Sequence, residues 1–263
     1  MRLPGILILA HGGSPEWNKA VEDAVAGSHL TFPTAVAFGM GMHEHEVQDL
    51  REAAGALESK GITRLVVVPL LVSSHSEVYR QYEYLLGLRH DAEWPDAGQP
   101  LTYEIPVTLT SALDGDPPML ASILLDRAKA LSRAPAKETV VLVAHGPNED
   151  ADNAKWLAAL QQAADSVQQQ GGFARVMPCT IRDDARDEVR AQAREALREM
   201  VQTQSRQRRI LVIPVLIAQG GIEQKIPEIL KGLRYVFKGQ TLLPHPKISQ
   251  WISKQALKVA EGR

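Results

Sequence analysis

Cysteine is nearly missing. Cys179 is the only one in 263 residues, which rules out an intrachain disulfide and any cysteine-rich metal cluster. Charge of neither sign dominates. The formal net charge is −2, so no global field argues for nucleic acid or an anionic membrane surface as a partner. No apolar run approaches the ~20 residues that a membrane span needs. Met1-Arg2-Leu3-Pro4 leads directly into a strand-like run, and Ile6 to Ala10 is too short for the apolar core of a secretory signal. Glycine-rich phosphate loops are missing too. There is no Gly-x-x-x-x-Gly-Lys-Ser/Thr and no Gly-x-Gly-x-x-Gly after a strand, and Gly39-Met40-Gly41 is too little to replace either. These absences set the expectation of a soluble, cytoplasmic protein with no organic cofactor, no nucleic acid and no membrane partner. Composition is otherwise ordinary, 44% apolar and 23% charged, and the length suits one large domain or two of roughly 100–150 residues.

What is present is a repeat. Ile6-Leu7-Ile8-Leu9-Ala10-His11-Gly12-Gly13-Ser14 reads as a buried parallel strand that ends in a histidine and a glycine turn. Val140-Val141-Leu142-Val143-Ala144-His145-Gly146-Pro147 repeats it. Each copy continues in the same order. In the first half, helix 15–25 follows, with Ser14 as N-cap and Pro15 at its first position. Then come strand 34–38, helix 46–60, strand 64–72, helix 77–86, strand 102–108 and helix 119–131. In the second half the expected elements are helix 150–169, strand 174–180, helix 184–203, strand 210–217, helix 224–232, strand 241–243 and helix 248–260. Alternating strands and helices imply parallel sheets with right-handed crossovers. The reading is an α/β chain of two similar parallel-sheet domains, 1–133 and 134–263, with a linker near 132–137 and a cleft between the domains.

The candidate chemistry concentrates in the first copy. His11 and His75 each fall just past a parallel strand, at the edge where open α/β sheets bind ligands. If those strands are neighbours, two imidazoles share one edge and form a borderline-soft site suited to Co, Ni, Fe, Zn or Cu that also exchanges protons near neutral pH. The alternative is that each is a loop histidine packed on a helix end. His43, Glu44, His45 and Glu46 crowd potential ligands together, or form a solvated helix start with its acids near the positive dipole end. Gly12, Gly13 and Ser14 let backbone approach a ligand at a helix N-terminus. Ser73, Ser74 and Ser76 could donate to the same anion, and Ser76 could instead cap the next helix. The second half keeps His145 but has Gln219-Gly220-Gly221-Ile222 against Ser73-Ser74-His75-Ser76, so it cannot offer the same pair. His-Gly-Gly also occurs in the oxyanion loops of some esterases, but the Gly-x-Ser-x-Gly elbow is missing.

Ala10-His11-Gly12, the run Val67-Val68-Pro69-Leu70-Leu71-Val72-Ser73-Ser74-His75, and Ile213-Pro214-Val215-Leu216 with Gly220-Gly221 resemble the sirohydrochlorin cobalt/iron/nickel chelatases, the class II chelatases related in fold to ferrochelatase. The layout resembles their long form, an internal duplication that folds as two flavodoxin-like α/β domains with the metal-binding histidines in the first. The resemblance implies a lyase of cobalamin- or siroheme-type biosynthesis. It would insert a divalent metal, Co2+ or Fe2+ and by extension Ni2+, into a tetrapyrrole such as sirohydrochlorin, with the metal as substrate. His11 and His75 would hold the ion and accept protons, joined by His43, Glu44 or His45 in place of a family glutamate. This chain has no acid between Phe38 and Glu44 where that glutamate commonly stands, and its second histidine follows Pro69 sooner than is usual. Sirohydrochlorin is a polycarboxylate, so Arg80, Arg89 and Lys225 become candidate cations for it. The expected state is a monomer or homodimer. Two rivals follow from the same residues: a non-catalytic metal- or tetrapyrrole-binding protein of this fold, and a hydrolase using Ser14 or Ser74 with a histidine.

Overall fold

A computed structural model of the chain describes residues 3–39, 44–94 and 98–260. Two compact units emerge, Met1–Gly115 together with Pro244–Arg263, and Asp116–Leu243.

The first unit is built on a four-stranded parallel sheet. Its strands are β1 (Pro4–Ala10), β2 (Thr34–Phe38), β3 (Arg64–Leu70) and β4 (Val107–Leu109), in the order β2-β1-β3-β4. All seven residues of β1 are buried, because helices cover both faces of a doubly wound sheet and leave no polar side to alternate with. The helices are α1 (Pro15–Ala26), α2 (Glu44–Glu58) and α3 (Glu77–Leu85). Ser14 caps α1 by accepting the Trp17 N–H, and Ser76 caps α3 by accepting the Tyr79 N–H. Strand β1 lies between β2 and β3, with Ala10 opposite both Phe38 and Leu70. The carboxyl ends of β1 and β3 are therefore adjacent. Strand β4 is shorter than the expected 102–108. It starts directly after Pro106, whose carbonyl accepts the Leu65 N–H. Proline has no N–H for the ladder, so pairing begins beyond it.

The second unit carries a three-stranded parallel sheet of β5 (Glu138–Ala144), β6 (Arg175–Thr180) and β7 (Arg209–Val215), in the order β6-β5-β7. Its helices are α4 (Pro117–Lys129), α5 (Asp150–Gly171), α6 (Asp187–Ser205) and α7 (Ile222–Ile229). Gly172 ends α5 in the left-handed conformation (φ 65°), as its position after the apolar periodicity predicts. The expected fourth strand at 241–243 is not a strand. Leu242 and Leu243 do donate to Leu216 and Ile217, but those acceptors lie beyond the end of β7. The outer edge of β7 is met earlier by Val236, which bridges Leu211 in parallel and exchanges bonds with Ile210 and Val212.

The repeats 1–133 and 134–263 do not coincide with the compact units, since each repeat ends in a helix that belongs to the other unit. Helix α4 buries Leu120, Ile123 and Leu124, packs on α5 and β7, and its Arg127 donates to the carbonyls of Thr241 and Leu242. The last helix, α8 (Pro246–Ala260), packs on α1 and β3 in the first unit. It buries Ile248, Trp251 and Ile252 there, receives a bond from Arg64 at the Val259 carbonyl, and donates from Ser253 to Ser28. No described helix is long and apolar enough to cross a membrane.

Candidate active site

His11 follows directly on β1. The chain turns at Gly12 with φ +86°, and a Cβ there would meet the Phe38 Cβ at 3.2 Å, so glycine is what lets β1 turn beside the end of β2. His11 Nδ1 is 3.1 Å from the Gly12 carbonyl. A carbonyl only accepts, so in that contact Nδ1 carries the proton, and the lone pair of the neutral ring is on Nε2. An imidazole oriented in this way is the usual form of a metal-binding histidine.

His75 stands past the end of the neighbouring strand β3, in the turn before α3. That turn is held by Asp114. The Asp114 carboxylate accepts from Ser73 Oγ at 2.7 Å, the Ser74 N–H at 2.7 Å and Ser74 Oγ at 2.9 Å. Ser73 Oγ in turn accepts the His75 N–H at 3.0 Å, and Ser74 Oγ the Ala112 N–H at 2.9 Å. The topology thus brings His11 and His75 to one edge of one sheet. The imidazole of His75 makes no hydrogen bond among the described residues. Nor do three His, Cys, Asp or Glu side chains converge anywhere among them. Imidazole is a ligand suited to borderline-soft divalent ions.

The other candidates divide by what already occupies them. Ser73 is 1% exposed and, like Ser74, spends its hydroxyl hydrogen on Asp114. Ser76 is the cap of α3, and Ser14 the cap of α1. The Gly13 N–H donates to Asn18 Oδ1. Arg80 forks onto Glu93, with Nε at 2.8 Å and Nη2 at 2.7 Å from its oxygens, both side chains largely buried. Arg89 lies beyond the far end of α3, about 13 Å of helix from His75, where it lines a separate hollow of about 480 Å3 with Tyr84 and His90. Lys225 belongs to the second unit and pairs with Asp183. His43 lies outside the described residues, as do Met40 and Met42. Glu44, His45 and Glu46 fall in the first turn of α2, and their side chains lie outside the description. Neither Ser14 nor Ser74 hydrogen-bonds a histidine among the described residues.

The second unit shows what the same motif becomes without a partner histidine. His145 repeats the turn, with Nδ1 at 2.9 Å from the Gly146 carbonyl and Gly146 at φ +79°. Its Nε2, however, faces Asp184 at 3.2 Å. Burial alone would lower its pKa, but the hydrogen bond and charge of Asp184 outweigh this and hold it above the ordinary value. The strand ends around it are tied off. Arg182, 7% exposed and at φ +48°, binds the Pro147 and Asn148 carbonyls and Asp150. Asp183 is held by Arg194 and Lys225.

A model of one family, CbiX, matches the chain twice, over residues 5–131 and again over 139–258. The chain belongs to the CbiX family. The two matches follow the two repeats, each including the terminal helix that packs in the other unit. Among curated proteins, the sirohydrochlorin cobaltochelatase of Methanococcoides burtonii is 26% identical over 125 residues, which is 47% of this chain and 93% of that protein. Among solved structures, SirB from Bacillus subtilis with Fe3+ superposes with a TM-score of 0.69 at 18% identity, covering 100% of this chain and 98% of that one. Seen within the CbiX fold, the residue that sequence reasoning missed is Asp114. It sits forty-one positions from Ser73, in what reads as a plain Asp-Gly turn. No local pattern announces that its carboxylate reaches back to the histidine turn. Asp184, which engages His145, carries no local signal either.

Proposed function

We propose that this protein is a sirohydrochlorin chelatase that inserts a divalent metal ion, Co2+ or Fe2+, into the macrocycle. The observation that carries the reading is the pairing of β1 with β3 in a CbiX-family chain, which sets His11 and His75 at adjacent strand ends. The reaction exchanges one M2+ for two pyrrole protons: the free-base ring and the ion become the metallated ring and two H+. Imidazole is suited to both halves of that exchange, since it binds such ions through one nitrogen and takes up protons near neutral pH. His11 and His75 hold the ion with positions left open for water and then for ring nitrogens, and they take the protons as the ion leaves. The backbone around Gly12 and the start of α1 meet a ring carboxylate. Glu44 and His45, at the start of α2 beside the same sheet edge, are further candidates to receive the ion, together with His43. Arg80 is neutralised by Glu93 and stiffens the edge rather than presenting a free charge.

The test is direct. Purified protein is incubated with sirohydrochlorin and Co2+ or Fe2+, and the absorption spectrum is followed. Metallation faster than the uncatalysed reaction is expected. Ring and metal binding without acceleration would leave a carrier of the same fold, and no acceleration with either ion ends the chelatase reading.

A further inference from the structure

We infer that Asp114 is a positioning residue of this site, acting through His75 and not as a ligand itself. The inference rests on the chelatase reading. The turn 112–115 runs alongside the residues that follow β3: the N–H groups of Leu113 and Asp114 donate to the carbonyls of Leu71 and Val72, each at 3.1 Å, and Leu113 is fully buried. From that anchored position both Asp114 oxygens are committed, one to two donors and the other to one, all from Ser73 and Ser74. The chain of bonds then runs from Ser73 Oγ to the His75 N–H and ends at the Ser76 cap of α3. Tyr79, on the first turn of that helix, donates to the Thr110 carbonyl. Burial, with Glu83 and Asp114 adding to it, pushes its hydroxyl up to about 12, so it stays a donor at any working pH. His75 is thus gripped on both sides by groups that never touch its ring.

Fixing a residue that has no regular secondary structure costs backbone conformational entropy. Without the clamp, ordering the Ser73–His75 turn would be charged to metal binding. With it, the turn is ordered beforehand. The second unit supplies a control. At the matching place after β7, Ala218-Gln219-Gly220-Gly221 has no histidine and no serine pair. Its N–H groups at Gly220 and Gly221 are met locally by Glu223 at 3.1 and 3.0 Å. Where the histidine is lost, the long-range carboxylate clamp is lost with it.

The experiment uses the full chain, with Co2+ alone as the binding probe and Co2+ with sirohydrochlorin for turnover. Asp114→Ala is expected to weaken Co2+ binding and raise the KM for Co2+ by about 10–100-fold, the range for groups that orient a metal ligand, with the KM for sirohydrochlorin moving less than about twofold. Asp114→Asn, which keeps the shape and one acceptor oxygen, is expected to recover part of the loss. In a His75→Ala background, Asp114→Ala should change Co2+ affinity less than about twofold, since the two act as one unit. An Asp114→Ala protein that melts earlier but keeps its KM for Co2+ overturns the inference, as does a full effect in the His75→Ala background. Should Asp114→Ala fail to fold, an unchanged KM for Co2+ in Asp114→Asn overturns it equally. Failure of the chelatase reading looks different: wild-type protein then gives no accelerated insertion, while the Co2+ affinities still report the Asp114–His75 coupling. Wild-type Co2+ affinity in His75→Ala overturns the inference as well, because the clamped turn then holds no ligand.

Discussion

The three strand-end histidines should respond to alanine in opposite senses for stability and for activity. His145 is the structurally employed one. His145→Ala removes an ion pair whose partner, Asp184, is 72% exposed, worth about 0–1 kcal/mol. It also removes the Nδ1 contact with the Gly146 carbonyl, worth about 1 kcal/mol. The sum, about 1–2 kcal/mol, lowers Tm by roughly 2–8 °C for a chain of this size. The ion-pair part has a pH signature. The folded pKa of His145 lies above its unfolded value, so this stabilisation is fully present below pH ~6.5 and disappears as pH rises through the folded pKa. The Tm difference between wild type and His145→Ala should therefore be larger at pH 6 than at pH 8.5. His75→Ala, whose imidazole makes no hydrogen bond among the described residues, should change stability by no more than about 0.5 kcal/mol. Its cost is expected in function: loss of a proposed ligand should reduce Co2+ insertion by at least about 100-fold, beyond what loss of an orienting partner causes. His11→Ala should match it in activity. Thermal melts at two pH values and initial insertion rates make the comparison. A His145→Ala protein that no longer inserts metal, or a His75→Ala protein that inserts normally, refutes the choice of the first unit.

Three further outcomes follow from other parts of the chain. Glu138 and Asp183 are buried carboxylates. Burial would raise both, but Ser132, the Arg133 N–H and Arg209 hold Glu138 low, and Lys225 and Arg194 hold Asp183 low. Their stabilisation is present above their unfolded pKa of about 4 and is lost as pH falls through the folded values, so Glu138→Gln and Asp183→Asn should each flatten the acid limb of a stability–pH curve. Truncation after Leu243 removes α8 and with it the burial of Ile248, Trp251 and Ile252, about 4.5–9 kcal/mol at 1.5–3 kcal/mol per side chain. Because α8 packs in the first unit, hydrogen exchange should show β1 and β3 unprotected while β5 and β7 stay protected. Gly146→Ala places a Cβ 2.5 Å from the Thr180 Cβ, against 3.2 Å from the Phe38 Cβ for Gly12→Ala, both at positive φ. Denaturant titration should find Gly146→Ala the more damaging of the two.

Much of the fold was legible because its signals are local. Seven buried residues in a row make β1, β5 and their like nearly all apolar, and a serine or proline at a helix start, or a glycine past a helix end, reads the same in any context. The strands that were misjudged are the marginal edges. Thr102–Thr108 and Thr241–Leu243 carry strand-like residues, yet pairing there depends on where a neighbour's ladder starts and stops, which is not written in the segment itself. The site divides in the same way. His11 and His75 stand out in the sequence because each follows an apolar strand. In sequence the serines around His75 read as possible donors to an anion, with Ser76 alternatively a helix cap; in the structure Ser73 and Ser74 donate to Asp114, some forty residues away, and Ser76 caps α3.

By itself, then, the sequence determined the alternation of strand and helix, the duplication, and the placement of one histidine past each of β1 and β3. These follow from hydrophobic runs and turn chemistry within a few residues. Only the tertiary structure decided which strands lie side by side, which carboxylate holds the His75 turn, and that α4 and α8 each pack in the unit of the other repeat. The two sheets offer similar aliphatic faces, so an apolar helix stripe does not name its partner; that choice is made by contacts spread across the whole chain.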